Sequence, residues 1–341
     1  MEGLIAITYR CNARCTMCNT WQHASSPAAE VTAADLRSLP PLDFANITGG
    51  EPFLRSDIAD IVSVVGHKAK RVVVSTNGYY TERVVALAER FPRLGFRVSL
   101  EGLPAANDQL RGLPDGFDHG LRTILRLRAL GRKDIGFGIT LSDRNADDLL
   151  ELYELAEAMG VEFATAATHN SYYSHKFDNA FSDPERVASR LEELSARLMH
   201  TRTPKNWFRA WFNMGLANYV RGGSRLLPCN VADDVFFVDP FGEVQPCNGM
   251  EASMGSLKEQ PFDEIWRSAR ACEVRDAVAS CSSDCWMIGS VSPAMKRDLR
   301  TPAAWVLRAR LTGTLPAVAA SGPPVAWRRP AGGPSAREKT P

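Results

Sequence analysis

The chain has 341 residues, 45% of them hydrophobic and 23% charged, with a net charge of +1, which accommodates two average domains or one large α/β barrel with an appendage. The near-neutral balance argues against a general nucleic-acid binder, and no apolar run approaches the roughly 20 residues of a membrane span. Residues 1–5 carry no basic segment ahead of an apolar one, so no secretory signal is expected and the setting is expected to be cytoplasmic and reducing.

In chain order, residues 4–8, 44–48, 71–76, 96–100, 135–140 and 160–164 read as six short strands, with helical periodicity between them at 81–91, 118–130 and 145–159. Strand–helix alternation at this spacing means βαβ units and a parallel sheet. Six units are too few for an eightfold barrel, which leaves a partly open barrel or an open doubly wound sheet. Either way, functional groups gather at the carboxyl ends of the strands. Polar or glycine pairs stand there: Gly49-Gly50, Asn77-Gly78, Glu101-Gly102 and Leu141-Ser142. Residues 183–222 read as helical, with Trp207, Phe208, Trp211 and Phe212 as packing groups. A β-hairpin over 235–247 turns at Pro240-Phe241-Gly242, and a helix follows over about 262–279. The expected organisation is a barrel over 1–222, a small hairpin-plus-helix unit over 223–295, a basic amphipathic helix over 296–315, and a disordered Ala/Gly/Pro/Ser tail over 316–341.

Eight cysteines are split three and five, with none in the 210 residues between Cys18 and Cys229. In a reducing setting such clusters read as metal ligands rather than disulfides. Cys11, Cys15 and Cys18 lie in one loop after the first strand. Three thiolates hold three irons of a [4Fe–4S] cube and leave the fourth open to a small ligand. A zinc site, with His23 as a fourth ligand, is the alternative. Cys229, Cys247, Cys281 and Cys285 can build a closed four-thiolate site, for which iron–sulfur and zinc are both suitable. Cys272 falls inside the expected helix and reads as a small buried hydrophobe.

Cys-x3-Cys-x2-Cys after a first strand, followed by Gly49-Gly50-Glu51-Pro52 after a second, resembles the radical S-adenosylmethionine (SAM) superfamily. The likeness continues through Ser75-Thr76-Asn77-Gly78, Ser99-Leu100-Glu101-Gly102 and residues 107–112, and covers about residues 4–290. It implies a partial (β/α)6 barrel whose open iron chelates SAM, and a 5′-deoxyadenosyl radical that takes hydrogen from a C–H bond. Carried over by position, Gly49, Gly50 and Glu51 meet the SAM amino group, and Ser99 and Arg111 hold the carboxylate. Ser75, Asn77, Glu101 and Thr140 stand near the ribose or sulfonium. Met17 departs from the family, which mostly has an aromatic residue before the third cysteine, and Glu101 stands where many relatives have Asp. The Cys229-x12-Gly-x4-Cys247 spacing resembles the twitch extension, a shortened SPASM domain that carries one auxiliary [4Fe–4S] cluster. Three residues part Cys281 from Cys285 where close relatives often have two, which leaves one ligand open.

An auxiliary cluster suits a net two-electron oxidation, because it can accept the electron that a substrate radical must lose. The twitch group points to dehydrogenation of a secondary alcohol on a sugar or aminocyclitol in antibiotic biosynthesis. The expected partners are a small-molecule substrate and a flavodoxin- or ferredoxin-type donor. Epimerization, with Cys272 as hydrogen donor, and peptide or lipid modification are alternatives. With Cys11 so near residue 1, no N-terminal peptide-binding domain is expected, which weakens the peptide alternative without removing it. A non-catalytic iron–sulfur or zinc scaffold is the alternative of another class. Residues 168–175 are dense in hydrogen-bonding groups after the sixth strand, and His169 and Tyr172 are the candidates there for substrate binding or base catalysis. From Ser290 onward there are nine Lys or Arg against two Asp or Glu, a surplus of seven. A terminal helix packing by its apolar side is preferred there over one lying on an anionic membrane.

Overall fold

Six parallel strands form the frame: β1 (Glu2–Ala6), β2 (Phe44–Thr48), β3 (Val72–Thr76), β4 (Gly95–Ser99), β5 (Ile135–Leu141) and β6 (Glu162–Ala167). Each pairs in parallel with its sequence neighbour. The helices α1 (Ile58–Lys68), α2 (Thr81–Arg90), α3 (Pro104–Arg111), α4 (Gly116–Ala129), α5 (Leu149–Ala158), α6 (Pro184–His200) and α7 (Pro204–Val220) cover the outer face. This computed structural model describes residues 1–318, so the tail expected over 316–341 lies almost wholly outside the described residues.

Local chemistry sets these elements. Val72, Val73 and Val74 are all buried, as a strand covered on both faces requires. Val84, Leu87 and Ala88 of α2 bury one stripe. The expected helical stretch over 183–222 breaks where Thr203 stands extended before Pro204, which pre-sets the first turn of α7. The core runs through both layers, with Ile5, Ile47, Val74, Phe96, Phe137 and Leu191 fully or nearly fully enclosed.

The hairpin read in the sequence joins the edge of the barrel sheet. β7 (Val235–Val238) lies parallel to β1, from Glu2↔Val235 to Ile5↔Val238, and continues antiparallel into β8 (Glu243–Gln245) and β9 (Gly255–Ser256). One nine-stranded sheet results, in the order β6-β5-β4-β3-β2-β1-β7-β8-β9. The hairpin turn is closed by Asp239, whose Oδ1 accepts from the backbone of Phe241 and Glu243 at 2.9 and 3.0 Å. The helix expected over 262–279 is two, α8 (Phe262–Arg267) and α9 (Ala269–Ala279). Ser268 is extended between them and caps α9 by accepting from Ala271 N at 3.0 Å. The basic segment likewise forms two helices, α10 (Ile288–Arg297) and α11 (Arg300–Thr312). Among the described residues no helix is long and apolar enough to cross a membrane.

Candidate active site

The first cysteine loop follows β1 and is held by backbone on three sides. Arg14 N and Thr16 N donate to Arg111 O and Leu110 O at the end of α3, both at 2.8 Å. Gly50 N and Glu51 N donate to Thr8 O and Arg10 O at 2.6 and 2.8 Å, and Asn19 N donates to Ser174 O at 2.8 Å. The Gly49-Gly50 pair is thereby explained by close backbone approach. A Cβ on Gly50 would stand 2.2 Å from Arg10 O. Gly50→Ala is therefore expected to destabilise the fold by about 1–3 kcal/mol, checked by urea denaturation against the parent chain.

Within this loop the thiols are electrostatic neighbours: Cys11 of Cys15, and Cys15 of Cys18. Burial pushes the Cys11 thiol up to about 12, so a metal is what makes it a thiolate at neutral pH. Arg111 is buried against the same thiols and donates from Nη1 to Glu101 Oε1 at 2.9 Å. Burial works against its charge, but Cys15, Glu101, Cys11 and Glu51 outweigh it and hold the guanidinium charged. Two buried donors at this loop have no partner among the described residues: Arg111 Nε and Asn12 Nδ2. Unspent N–H groups beside three thiols fit the carboxylate and hydroxyls of SAM chelated to a cluster. No pattern in the sequence singled out Asn12. Its Oδ1 accepts from Asn77 Nδ2 at 2.7 Å, which links the cysteine loop to the end of β3.

The other expected cofactor residues divide. Glu51 is fully buried and spends its carboxylate on the chain itself, accepting from Asn77 N and Thr76 Oγ1 at 2.8 Å and Phe53 N at 3.0 Å. It braces the ends of β2 and β3. Ser75 Oγ donates to Asn46 Oδ1 at 2.9 Å. Glu101 bridges Arg111 and Thr140 N, the latter at 2.6 Å. Ser99 ends β4 half-buried, and Met17 is half-buried beside Cys18. His23 is exposed and stacks on the His175 ring at 4.2 Å.

The thiols of the second set also lie within electrostatic reach of one another. Cys247 has Cys285 and Cys229 as electrostatic neighbours, and Cys285 has Cys229 and Cys281. Burial pushes Cys247 up to about 12 and Cys285 up to about 11. The expected burial of Cys272 is corrected: the residue is exposed on α9. Ala271, Val274 and Val278 form the packed stripe of that helix, which turns position 272 to solvent. Among the described residues no three His, Cys, Asp or Glu side chains converge on a single-ion site.

The 168–175 loop joins the two centres. Tyr173 donates its hydroxyl to Gly49 O and its N–H to Asn248 O, the latter at 3.1 Å, while Ser174 holds Asn19. Half of this polar loop is thus structural. Tyr172 sits beside His175, ring centroids 6.0 Å apart, and burial pushes its hydroxyl up to about 12. His169 lines a cavity of about 150 Å³ together with Cys247, Asn248, Phe237, Trp286 and Ile288. No Asp, Glu, Lys or Arg lines that cavity. Its Nδ1 lies 3.2 Å from Ala167 O, which fixes the proton on Nδ1 and leaves Nε2 as an acceptor. Desolvation holds the ring below its ordinary pKa, so the imidazole is neutral. Larger hollows of about 440 and 310 Å³ are lined by no cysteine.

Residues 5–156 match the profile of the radical SAM superfamily, and residues 229–286 that of an iron–sulfur cluster-binding domain, SPASM. An AdoMet-dependent heme synthase of Methanosarcina barkeri is 28% identical over 77% of this chain and 81% of its own length. A pre-heme d1 synthase of Dinoroseobacter shibae is 26% identical over 76% and 71%. A mycofactocin maturase of Mycolicibacterium smegmatis is 25% identical over 81% and 74%. Among solved structures, anSMEcpe with bound AdoMet superposes with a TM-score of 0.63 at 12% identity, over 90% of this chain and 99% of that one. SuiB of Streptococcus suis gives 0.62 at 14% identity, over 85% and 71%. The partial barrel, the cysteine loop at its mouth and the second thiol set make the chain a radical SAM enzyme, with SAM and a [4Fe–4S] cluster as cofactors and a C-terminal auxiliary iron–sulfur domain.

Proposed function

We propose that the enzyme is a dehydrogenase that oxidises a secondary alcohol to a ketone. The observation that carries the reading is the placement of His169 and Cys247 on one cavity. When bound, the cofactors supply hydrogen abstraction from the carbinol carbon by a 5′-deoxyadenosyl radical, and an acceptor for the remaining electron. Cys11, Cys15 and Cys18 would hold the first cluster, and Arg111 with Asn12 the polar end of SAM. Cys229, Cys247, Cys281 and Cys285 would hold the auxiliary cluster. His169 Nε2 takes the hydroxyl proton, so that one hydrogen atom, one proton and one electron leave the substrate together with no oxygen added. The buried apolar groups Phe237 and Trp286 keep water from the substrate radical. A flavodoxin- or ferredoxin-type protein is the proposed donor of the priming electron.

The sugar or aminocyclitol assignment rests on the cysteine spacing. A second reading, oxidation on a larger apolar framework or a peptide, is favoured by the apolar lining of the cavity and by the names of the relatives. A panel of alcohols, tetrapyrroles and peptides, assayed for substrate-dependent 5′-deoxyadenosine, separates the two. The exposure of Cys272 speaks against epimerization through that thiol.

His169→Gln keeps the volume but removes the base. It is expected to lower product formation by about 10²–10⁴-fold while SAM cleavage continues. Cys272→Ala is expected to leave product formation unchanged. Because His169 is held below the usual 6.5, parent activity is expected to persist as the pH falls through 6.5 and to fail only under more acid conditions. An acid limb at or above that value, or full product yield from His169→Gln, would remove the base from this position.

A further inference from the structure

α10 and α11 carry apolar groups on two sides. The packed side is Val291, Ala294, Trp305, Val306 and Ala309, and the Arg310 guanidinium lies 4.8 Å from the centre of the Trp207 ring. On this side the two helices pack by their apolar stripes. The outer side is not accounted for by that packing. Leu307 and Leu311, one turn apart on α11, are 60% and 78% exposed, and Leu299 between the helices is 55% exposed. Of the seven large hydrophobic residues exposed among the described residues, four are in this segment, so the exposure is concentrated rather than scattered.

The charges around these leucines are predominantly positive, with Asp298 the exception. Arg300 and Arg308 flank them, and neither makes an ion pair among the described residues. Asp298 lies within electrostatic reach of Arg300, and its carboxylate accepts from the backbone N–H of Arg300 and from Thr301. Lys296 and Arg297 stand at the rim, paired with Glu2 and Asp234. The sequence beyond residue 318 adds Trp327, Arg328, Arg329, Arg337 and Lys339 against Glu338 alone. The rest of the chain, residues 1–289, is net negative, so the positive charge is segregated at this end. Ile288, the first residue of α10, is half exposed and also lines the His169 cavity.

From these features we propose that the α10–α11 face docks the enzyme on an anionic phospholipid bilayer. Leu307 and Leu311 enter the acyl boundary while Arg300 and Arg308 meet lipid phosphates. The docking is peripheral and reversible, since two leucines and a few arginines do not anchor a protein permanently. It is independent of which substrate the cavity takes.

The test uses the full chain with its clusters reconstituted, sedimented with vesicles of phosphatidylcholine alone or mixed with phosphatidylglycerol. Sedimentation with the mixed vesicles only, reversed by high salt, is the expected result. Leu307→Ser with Leu311→Ser, and separately Arg300→Glu with Arg308→Glu, are expected to lower the bound fraction about tenfold or more, at unchanged iron content and circular dichroism. A chain ending at residue 318 is expected to retain binding. Absence of binding to mixed vesicles, equal binding by the variants, or loss of all binding on removal of 319–341 would each overturn the proposal. So would a dimer of the parent chain that the leucine variant converts to monomer without any vesicle binding in either.

Discussion

Cys15→Ala is expected to remove about four irons per chain and to abolish 5′-deoxyadenosine formation. The thiol loop is pinned through the backbone of Arg14, Thr16 and Asn19, so its path does not depend on the Cys15 side chain. The variant should therefore keep its circular dichroism while losing the cluster. The C-terminal thiols belong to a different part of the sheet, and about four further irons should remain. Cys247→Ala should give the reciprocal result, with SAM cleavage retained and product formation lost. Iron and sulfide analysis, electron paramagnetic resonance of the reduced protein and chromatography of deoxyadenosine read the three outcomes. SAM cleavage by the Cys15 variant would dismiss the loop as the cluster site, and zinc in place of iron in the parent would support a scaffold instead of an enzyme.

Arg111→Ala is the second large effect. It removes the one cation that the thiols, Glu51 and Glu101 share, and leaves the Glu101 carboxylate buried with only Thr140 N. Breaking such a pair by removing one partner costs about 3–5 kcal/mol, so the variant should unfold at markedly lower urea. Arg111→Lys separates stability from binding. A lysine restores positive charge near Glu101 but not the planar fork or the unpartnered Nε. Its stability should recover in large part, while the dissociation constant for SAM, measured anaerobically by equilibrium dialysis, should stay raised by about tenfold or more. Wild-type affinity in the lysine variant would mean that Arg111 serves the fold and not the cofactor.

The strands, the two cysteine sets and the glycine turns were legible because each is a local signal: a run of β-branched residues, a spacing, a close backbone approach. What was not legible depends on distance in the chain. The pairing of β7 with β1 joins residues more than 230 apart, and nothing within 235–238 names its partner. Glu51 is assigned to the SAM amino group by resemblance, partly through backbone, and the sequence did not show that its carboxylate also braces the end of β3. Cys272 read as buried because cysteines usually are, but the phase of α9, set by Ala271, Val274 and Val278, decided otherwise. The polar loop after β6 showed its composition but not its division of labour. Tyr173 and Ser174 tie the two centres together, and His169 alone of the expected pair lines the cavity beside Cys247.

The parallel seam between β1 and β7 has a consequence for how the protein can be cut and how it fails. A gene shortened before residue 223 would not yield a self-sufficient barrel. It would strip one side of β1 and leave a row of unpaired amides and carbonyls from Glu2 to Ala6, an adhesive border that recruits other chains. Iron filling the C-terminal thiols thus also steadies the strand that leads to Cys11, because ligand binding at a site formed by folding is itself folding energy. A chain lacking that iron is expected to open first at this seam, and protection of the β1 amides from hydrogen exchange would report how much of the second cluster has been delivered.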